Sequence, residues 1–188
     1  MIDQLLKWDR DLFTKLNGMG TELWDPFWQF CSHKFSFIPL YLFIIYLMYK
    51  NYGKAFWKPL LFIALTVLLC DKISVLGFKE VFMRLRPSQE TSLVSSIRLL
   101  EGKGGLYGFL SSHATNVFGI STFIYLSLRK FYGNKLAWLF VWAAFVGYSR
   151  IYVGKHYPLD VLCGSILGLS IGYFVYFLFK KTPIKSRT

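Results

Sequence analysis

The chain has 188 residues, enough for one domain, and 54% of them are hydrophobic and 20% aromatic, which excludes an ordinary soluble domain. The net charge of +12 comes without a basic stripe or an RNA-type aromatic motif, so it argues against a nucleic-acid partner and for the basic loops of an integral membrane protein. Cys31, Cys70 and Cys163 lie too far apart for metal-ligand spacing and are odd in number, so they read as small buried hydrophobes rather than a disulfide framework.

Residues 1–18 place Ile2, Leu5, Leu6, Leu12, Phe13 and Leu16 on one helical face with charges opposite, and Asn17-Gly18 is a stop. The pattern predicts an amphipathic helix on the bilayer surface. Asp3, Lys7, Asp9, Arg10 and Asp11 deny this segment the uncharged core of a signal peptide. Trp24 to Tyr49 is the first spanning candidate; Pro26, His33 and Lys34 disturb its start, so a short helix precedes a span from about Phe35. His33 reads as interfacial. Ala55 to Cys70 opens the second span, which continues towards Arg86 until Pro87 ends it. Asp71 and Lys72 within it read as a structural ion pair.

Residues 88–109 form one long polar loop with Gly102, Gly104, Gly105 and Gly108. The third span runs from Ser112 to Leu128, the fourth from Leu136 to Tyr152 and the fifth from Pro158 to Leu178, before a basic tail over 180–188. Gly164, Gly168 and Gly172 recur every four residues on the last span, a pattern for close packing within the bundle or for dimerisation. The fold expected is an all-α membrane bundle of about five transmembrane helices plus the amino-terminal interfacial helix, one domain over 1–188.

Because spans alternate, residues 50–58, 129–135 and 180–188 share one side of the membrane. That side holds ten cations and none of the ten acids. We place it in the cytoplasm, a tail included, which turns the polar clusters described next towards the periplasm or outside.

Ionisable groups beside membrane-length apolar segments are functional candidates by default. Lys79 and Arg86, two helical turns apart, can point at one ligand; arginine grips phosphate oxygens bidentately and lysine adds a compact charge. Arg84 does not share their face and reads as a solvated charge. Ser111-Ser112-His113 stands where the third span starts, where hydroxyls cap and free N–H groups bind anions. His113 there can protonate a leaving oxygen. Arg150 can hold further phosphate oxygens. His156 precedes Tyr157-Pro158, a second helix start, and Asp160 four residues on can accept its Nδ1 proton and leave Nε2 as nucleophile. Lys155 reads as solvated.

Lys79-x6-Arg86-Pro87, Ser111-x-His113 and Ser149-Arg150-x5-His156-x3-Asp160 together resemble the three-part signature of the type 2 phosphatidic acid phosphatase superfamily, over roughly residues 71–175. The second part departs from the usual Pro-Ser-Gly-His, with Leu110 in place of the proline and Ser112 in place of the glycine. The resemblance implies that His156 attacks phosphorus to form a phosphohistidine, with Asp160 orienting it and His113 serving as acid and then base. It implies that Lys79, Arg86, Arg150, Ser111 and the Ser112 main chain hold the phosphate, without metal or other cofactor.

The function expected is hydrolysis of a lipid phosphate or diphosphate, with undecaprenyl diphosphate preferred. Lipid A, phosphatidylglycerol phosphate and phosphatidate are the close alternatives, and the loop 88–109, with Arg98 and Lys103, shapes the choice. A soluble haloperoxidase of similar signature is disfavoured by the spans. The rival from another class is a non-catalytic membrane transport or scaffold protein that retains a phosphate pocket. The lipid phosphate and the bilayer are the partners, and the oligomeric state is open.

Overall fold

The computed structural model describes residues 1–183, and among them the regular elements are helical, apart from one bridge pairing Leu85 with Tyr107. In chain order, α1 (Ile2–Gly18), α2 (Asp25–Ser32) and α3 (Ile38–Tyr52) precede a long helix made of α4 (Trp57–Lys72), a π-helical stretch (Ile73–Lys79) and a last turn, α5 (Glu80–Phe82). Beyond the long loop come α6 (Ser112–Tyr132), α7 (Trp138–Tyr152) and α8 (Pro158–Lys180). Each expected span has its helix. The part of the basic tail over 184–188 lies outside the described residues.

Trp57–Phe82 and Pro158–Lys180 are long and apolar enough to cross a membrane, and Asp25–Ser32 with Lys34–Ala55 makes a third if that pair, bent by 76°, is one span. The protein is an integral membrane protein on this basis. By the same measure α6 and α7 fall short. α6 carries Thr115, Asn116, Ser121, Thr122 and Ser127 among its apolar residues, and α7 has only 15 residues.

The second helix stops earlier than the proline suggested. Met83 takes a left-handed conformation (φ 45°, ψ 31°), which ends the helix, and Leu85 then pairs with Tyr107 in extended backbone. Lys79 and Arg86 therefore do not share a helical face. They approach because the chain folds back over the bundle.

α6 and α8 form the central pair, and the glycines of α8 let them meet. A Cβ on Gly168 would collide with the Thr115 carbonyl and one on Gly172 with the Gly119 carbonyl; one on Gly164 would stand 2.8 Å from the Ser111 carbonyl. The glycine repeat thus serves packing inside the bundle. Away from the polar clusters, Met48, Tyr52, Phe123, Leu128, Val175 and Phe179 build the main core. A second, smaller core of Phe13, Leu93, Ile151 and Tyr157 fastens α1 and the long loop over the other end.

α1 lies against the bundle rather than only on the bilayer. Phe13 is buried as its pattern requires, but so are Asp9 and Asn17 on the same stripe. Asn17 donates to the carbonyls of Tyr152 (2.8 Å) and Arg98 (3.0 Å) and accepts from Arg98 N–H (2.8 Å). Leu5, Leu6 and Leu12 stay exposed for the membrane surface. The long loop is pinned rather than free: Gln29 donates to the Leu100 carbonyl, Ser88 to the Lys103 carbonyl, and Leu100 N–H to Val153. Arg98 reaches Asp25 at 2.7 Å. Gly154 (φ +81°) turns the chain out of α7, and a Cβ there would lie 2.7 Å from the Arg98 carbonyl. Cys31 and Cys70 are buried as expected, Cys163 partly.

Candidate active site

Lys79 ends the π-helical stretch, a local widening common at functional sites. Its ammonium donates to Ser112 Oγ at 2.7 Å, and that hydroxyl also pairs with Ser74 Oγ at 2.8 Å. Ser112, expected to act only through its main chain, therefore brings its side chain to the cation as well. Ser111 caps α6: its hydroxyl accepts from Ala114 N–H at 3.5 Å, and its own N–H donates to the Asp160 carbonyl at 3.0 Å. Its buried hydroxyl keeps its proton to offer a phosphate oxygen.

Arg86 is fixed by Nε donating to the Tyr107 carbonyl at 3.1 Å. Gly108 lets that strand approach, since a Cβ there would lie 3.1 Å from both Arg86 Cγ and Asp160 Oδ2. Arg150 is buried at the end of α7; its Nη1 meets Ser32 Oγ and lies 3.4 Å from Glu101 Oε2. Ser32 donates in turn to Glu101 Oε1 at 2.5 Å. Arg150 Nε has no partner. Lys155, expected in solvent, is only 6% exposed. Placed near Arg86 over Gly104, it feels Glu101, Arg150 and Arg86, and burial lowers its pKa below the usual lysine value.

His156 sits in the turn before α8 and is buried. Burial first, then the charges of Arg86, Arg150 and Lys79, hold its ring well below the ordinary histidine range, so it stands neutral near pH 7. A neutral imidazole keeps a lone pair. Its Nδ1 lies 3.4 Å from Asp160 Oδ2, long for a hydrogen bond, and makes no other. His113, in the first turn of α6, feels the charges of Arg150, His156, Lys79 and Arg86. Both imidazoles, the three expected cations and Asp160 thus share one polar layer at one end of the bundle.

Asp160 is held more firmly than its sequence neighbourhood suggested. Its Oδ2 accepts the Tyr157 N–H at 3.0 Å in a capping box, and its Oδ1 accepts Arg84 at 2.9 Å. Arg84, expected in solvent, also meets Asp9 Oδ2 at 2.6 Å and lies over the Tyr157 ring at 4.0 Å. Asp9 accepts Leu159 N–H at 2.9 Å from the first turn of α8. Two buried carboxylates turned Arg84 inward. The signal available was Asp9 itself, an acid in the middle of an apolar stripe. Asp71 and Lys72 do not pair; both are exposed, and Asp71 instead accepts from Asn116 Nδ2 at 2.8 Å. His33 is exposed at the end of α2. Among the described residues no cluster of His, Cys, Asp and Glu has the makings of a metal site.

The chain is 34% identical to a lipid A 4'-phosphatase of Porphyromonas gingivalis over 93% of its own length and 74% of that protein's. An undecaprenyl-diphosphatase of Sulfolobus acidocaldarius is 35% identical over 57% of this chain and 49% of its own. The fold matches the crystal structure of a transmembrane PAP2-type phosphatidylglycerolphosphate phosphatase from Bacillus subtilis, with a TM-score of 0.71 and 23% identity over 96% of this chain and 88% of that one. Residues 55–183 match the family model of the PAP2 superfamily, and the chain belongs to that superfamily.

Proposed function

We propose that this lipid phosphatase removes a phosphomonoester from a lipid headgroup through a phosphohistidine, with a lipid A-type glycolipid as substrate. The observation that carries the chemistry is the gathering of Lys79, Ser112 and Arg86, partly buried, with buried Arg150, His156 and Asp160 in one layer, neutral His156 standing at a helix start. The near full-length similarity to a lipid A 4'-phosphatase supports the glycolipid over undecaprenyl diphosphate, the substrate first preferred, since that relative matches a shorter stretch.

In the proposed sequence the Nε2 lone pair of His156 attacks phosphorus as the phosphorus–oxygen ester bond breaks. The leaving oxygen takes a proton from His113, and Asp160 holds the Nδ1 side of the charged ring. A water then gives its proton to His113 and attacks phosphorus, the phosphorus–nitrogen bond breaks, and inorganic phosphate leaves. Lys79, Arg86, Arg150 and the hydroxyls of Ser111 and Ser112 balance the charge on the phosphate oxygens. The basic loops at the opposite end support an outward-facing site.

The test is phosphate release from a panel of lipid phosphates with chelator present, for wild type and His156→Ala. We expect turnover in the first and none in the second, with a cooperative thermal transition in both near pH 7.5. Turnover by His156→Ala at the wild-type rate refutes the nucleophile. Competitive inhibition by vanadate is expected, and inhibition without competition counts against a single phosphate site.

A further inference from the structure

Beside the phosphate layer lies a cavity of about 320 Å³, bounded by the segment after α2, α4, α6 and α7, which shares Ser112 and His113 with the site. His113 is the proposed donor to the leaving oxygen, so this cavity is where the alcohol half of the ester goes. Its inner wall is apolar, with Val67, Val117 and Ile120, as an acyl chain requires.

Two residues lining this cavity each carry a buried polar atom without a partner: Asn116 with Oδ1, an acceptor, and Trp142 with Nε1, a donor. Such groups are costly inside a membrane protein. The bond from Asn116 Nδ2 to Asp71 fixes which face of the amide is turned away from Asp71. Asn116 lies three residues after His113, roughly 4.5 Å along α6 and on the same face. Trp142 lies eight residues before Arg150, roughly 12 Å deeper along α7.

We infer that this cavity is a leaving-group subsite for an alcohol that carries an O–H or N–H donor close to the ester oxygen and a carbonyl acceptor further along. Asn116 and Trp142 are its specificity-determining residues. The inference rests on the phosphatase reading above and names the substrate class within it. An N-acylated sugar phosphate has both groups. A polyprenyl diphosphate has neither beyond its phosphates, and phosphatidate offers acceptors but no donor.

The test measures kcat/KM of the full-length protein in nanodiscs for an N-acyl glucosamine phosphomonoester glycolipid, a polyprenyl diphosphate and phosphatidate. Asn116→Leu should lower the ratio of glycolipid to polyprenyl turnover about tenfold, chiefly through KM. Trp142→Phe, which removes the indole N–H together with part of the ring, should lower it about threefold to fivefold. If Asn116→Leu does not fold by its thermal transition, Trp142→Phe decides alone. A wild-type ratio in the folded variants, or equal loss on all three lipids, overturns the subsite while leaving the phosphatase standing. Absence of phosphate release by wild type from every lipid overturns the phosphatase reading and the subsite with it.

Discussion

Arg84→Met is the most revealing substitution the structure offers. It keeps a long side chain over Tyr157 but removes the cation between Asp9 at 2.6 Å and Asp160 at 2.9 Å. Both carboxylates are buried, while Arg84 is 19% exposed. Breaking a fully buried pair costs about 3–5 kcal/mol. Each acid keeps one main-chain donor, Leu159 N–H or Tyr157 N–H, and Arg84 is partly in solvent, so we expect a loss near the lower end, about 3 kcal/mol. Burial already holds the Asp9 carboxyl above its usual value, against the opposing pull of Leu159 and Arg84, so losing the cation raises it further. The effect on chemistry follows from position. Asp160 faces His156 Nδ1 at 3.4 Å, and a displacement of about 1 Å in a reacting group can cost roughly a hundredfold. We expect kcat to fall about a hundredfold with KM little changed, measured as phosphate release in detergent. A cycle with Asp9→Asn should show coupling of at least about 1 kcal/mol in stability. A kcat for Arg84→Met within threefold of wild type, together with additive stabilities, would refute the claim that this arginine positions the carboxylate.

Glu101→Ala removes the carboxylate that faces Arg150 at 3.4 Å, so vanadate should bind about fivefold tighter, equivalent to about 1 kcal/mol; weaker inhibition contradicts the competition. Gly168→Val should destabilise the monomer by about 2–3 kcal/mol in a denaturant or thermal assay, because α6 and α8 cannot separate without opening the core, whereas a lipid-facing glycine would tolerate the change. His156 has a lowered pKa in the folded state, so the unfolded chain binds a proton that the fold refuses. Stability should fall as pH drops below about 6.5, by up to about 2 kcal/mol at pH 5, and His156→Asn should flatten that part of the profile; an identical profile in the variant removes His156 as the cause.

The helices were legible because apolar length and proline placement are local properties. Pro158 at the first position of α8 and Ser111 as the cap of α6 lie where the spacing put them. The association of Lys79 with Arg86 was foreseen for the wrong reason. Helical periodicity carries no sign of a methionine in a left-handed turn, and it is that turn with the Leu85–Tyr107 bridge that brings Arg86 back. Arg84 and Lys155 were misjudged together, since a charge reads as solvated unless its counter-ions are known. Those counter-ions, Asp9, Asp160 and Glu101, come from three segments far apart in the chain. The Asp71–Lys72 pair failed for a related reason: adjacent residues on a helix point apart, and Asn116 across the interface was a better partner.

These counter-ions also explain how so many cations remain together without a substrate. Lys79, Arg86, Arg150 and Lys155 repel one another in a layer screened from water, and the lowered pKa of Lys155 records part of that tension. The protein offsets it in two ways that differ in permanence. Asp160 is clamped from both oxygens, by Tyr157 N–H and Arg84, so its charge is fixed where His156 needs it. Glu101 rides on the long loop, partly exposed, and is held through Ser32 and Arg150. A phosphate dianion brings more charge than one carboxylate and can take over Arg150, releasing Glu101 and Ser32 together. Because Ser32 closes α2 and also lines the leaving-group cavity, displacing Glu101 reaches the wall of the cavity that receives the alcohol. Phosphate binding and leaving-group binding are then coupled through one serine, and the Glu101→Ala variant should show weaker coupling between vanadate and glycolipid product than wild type.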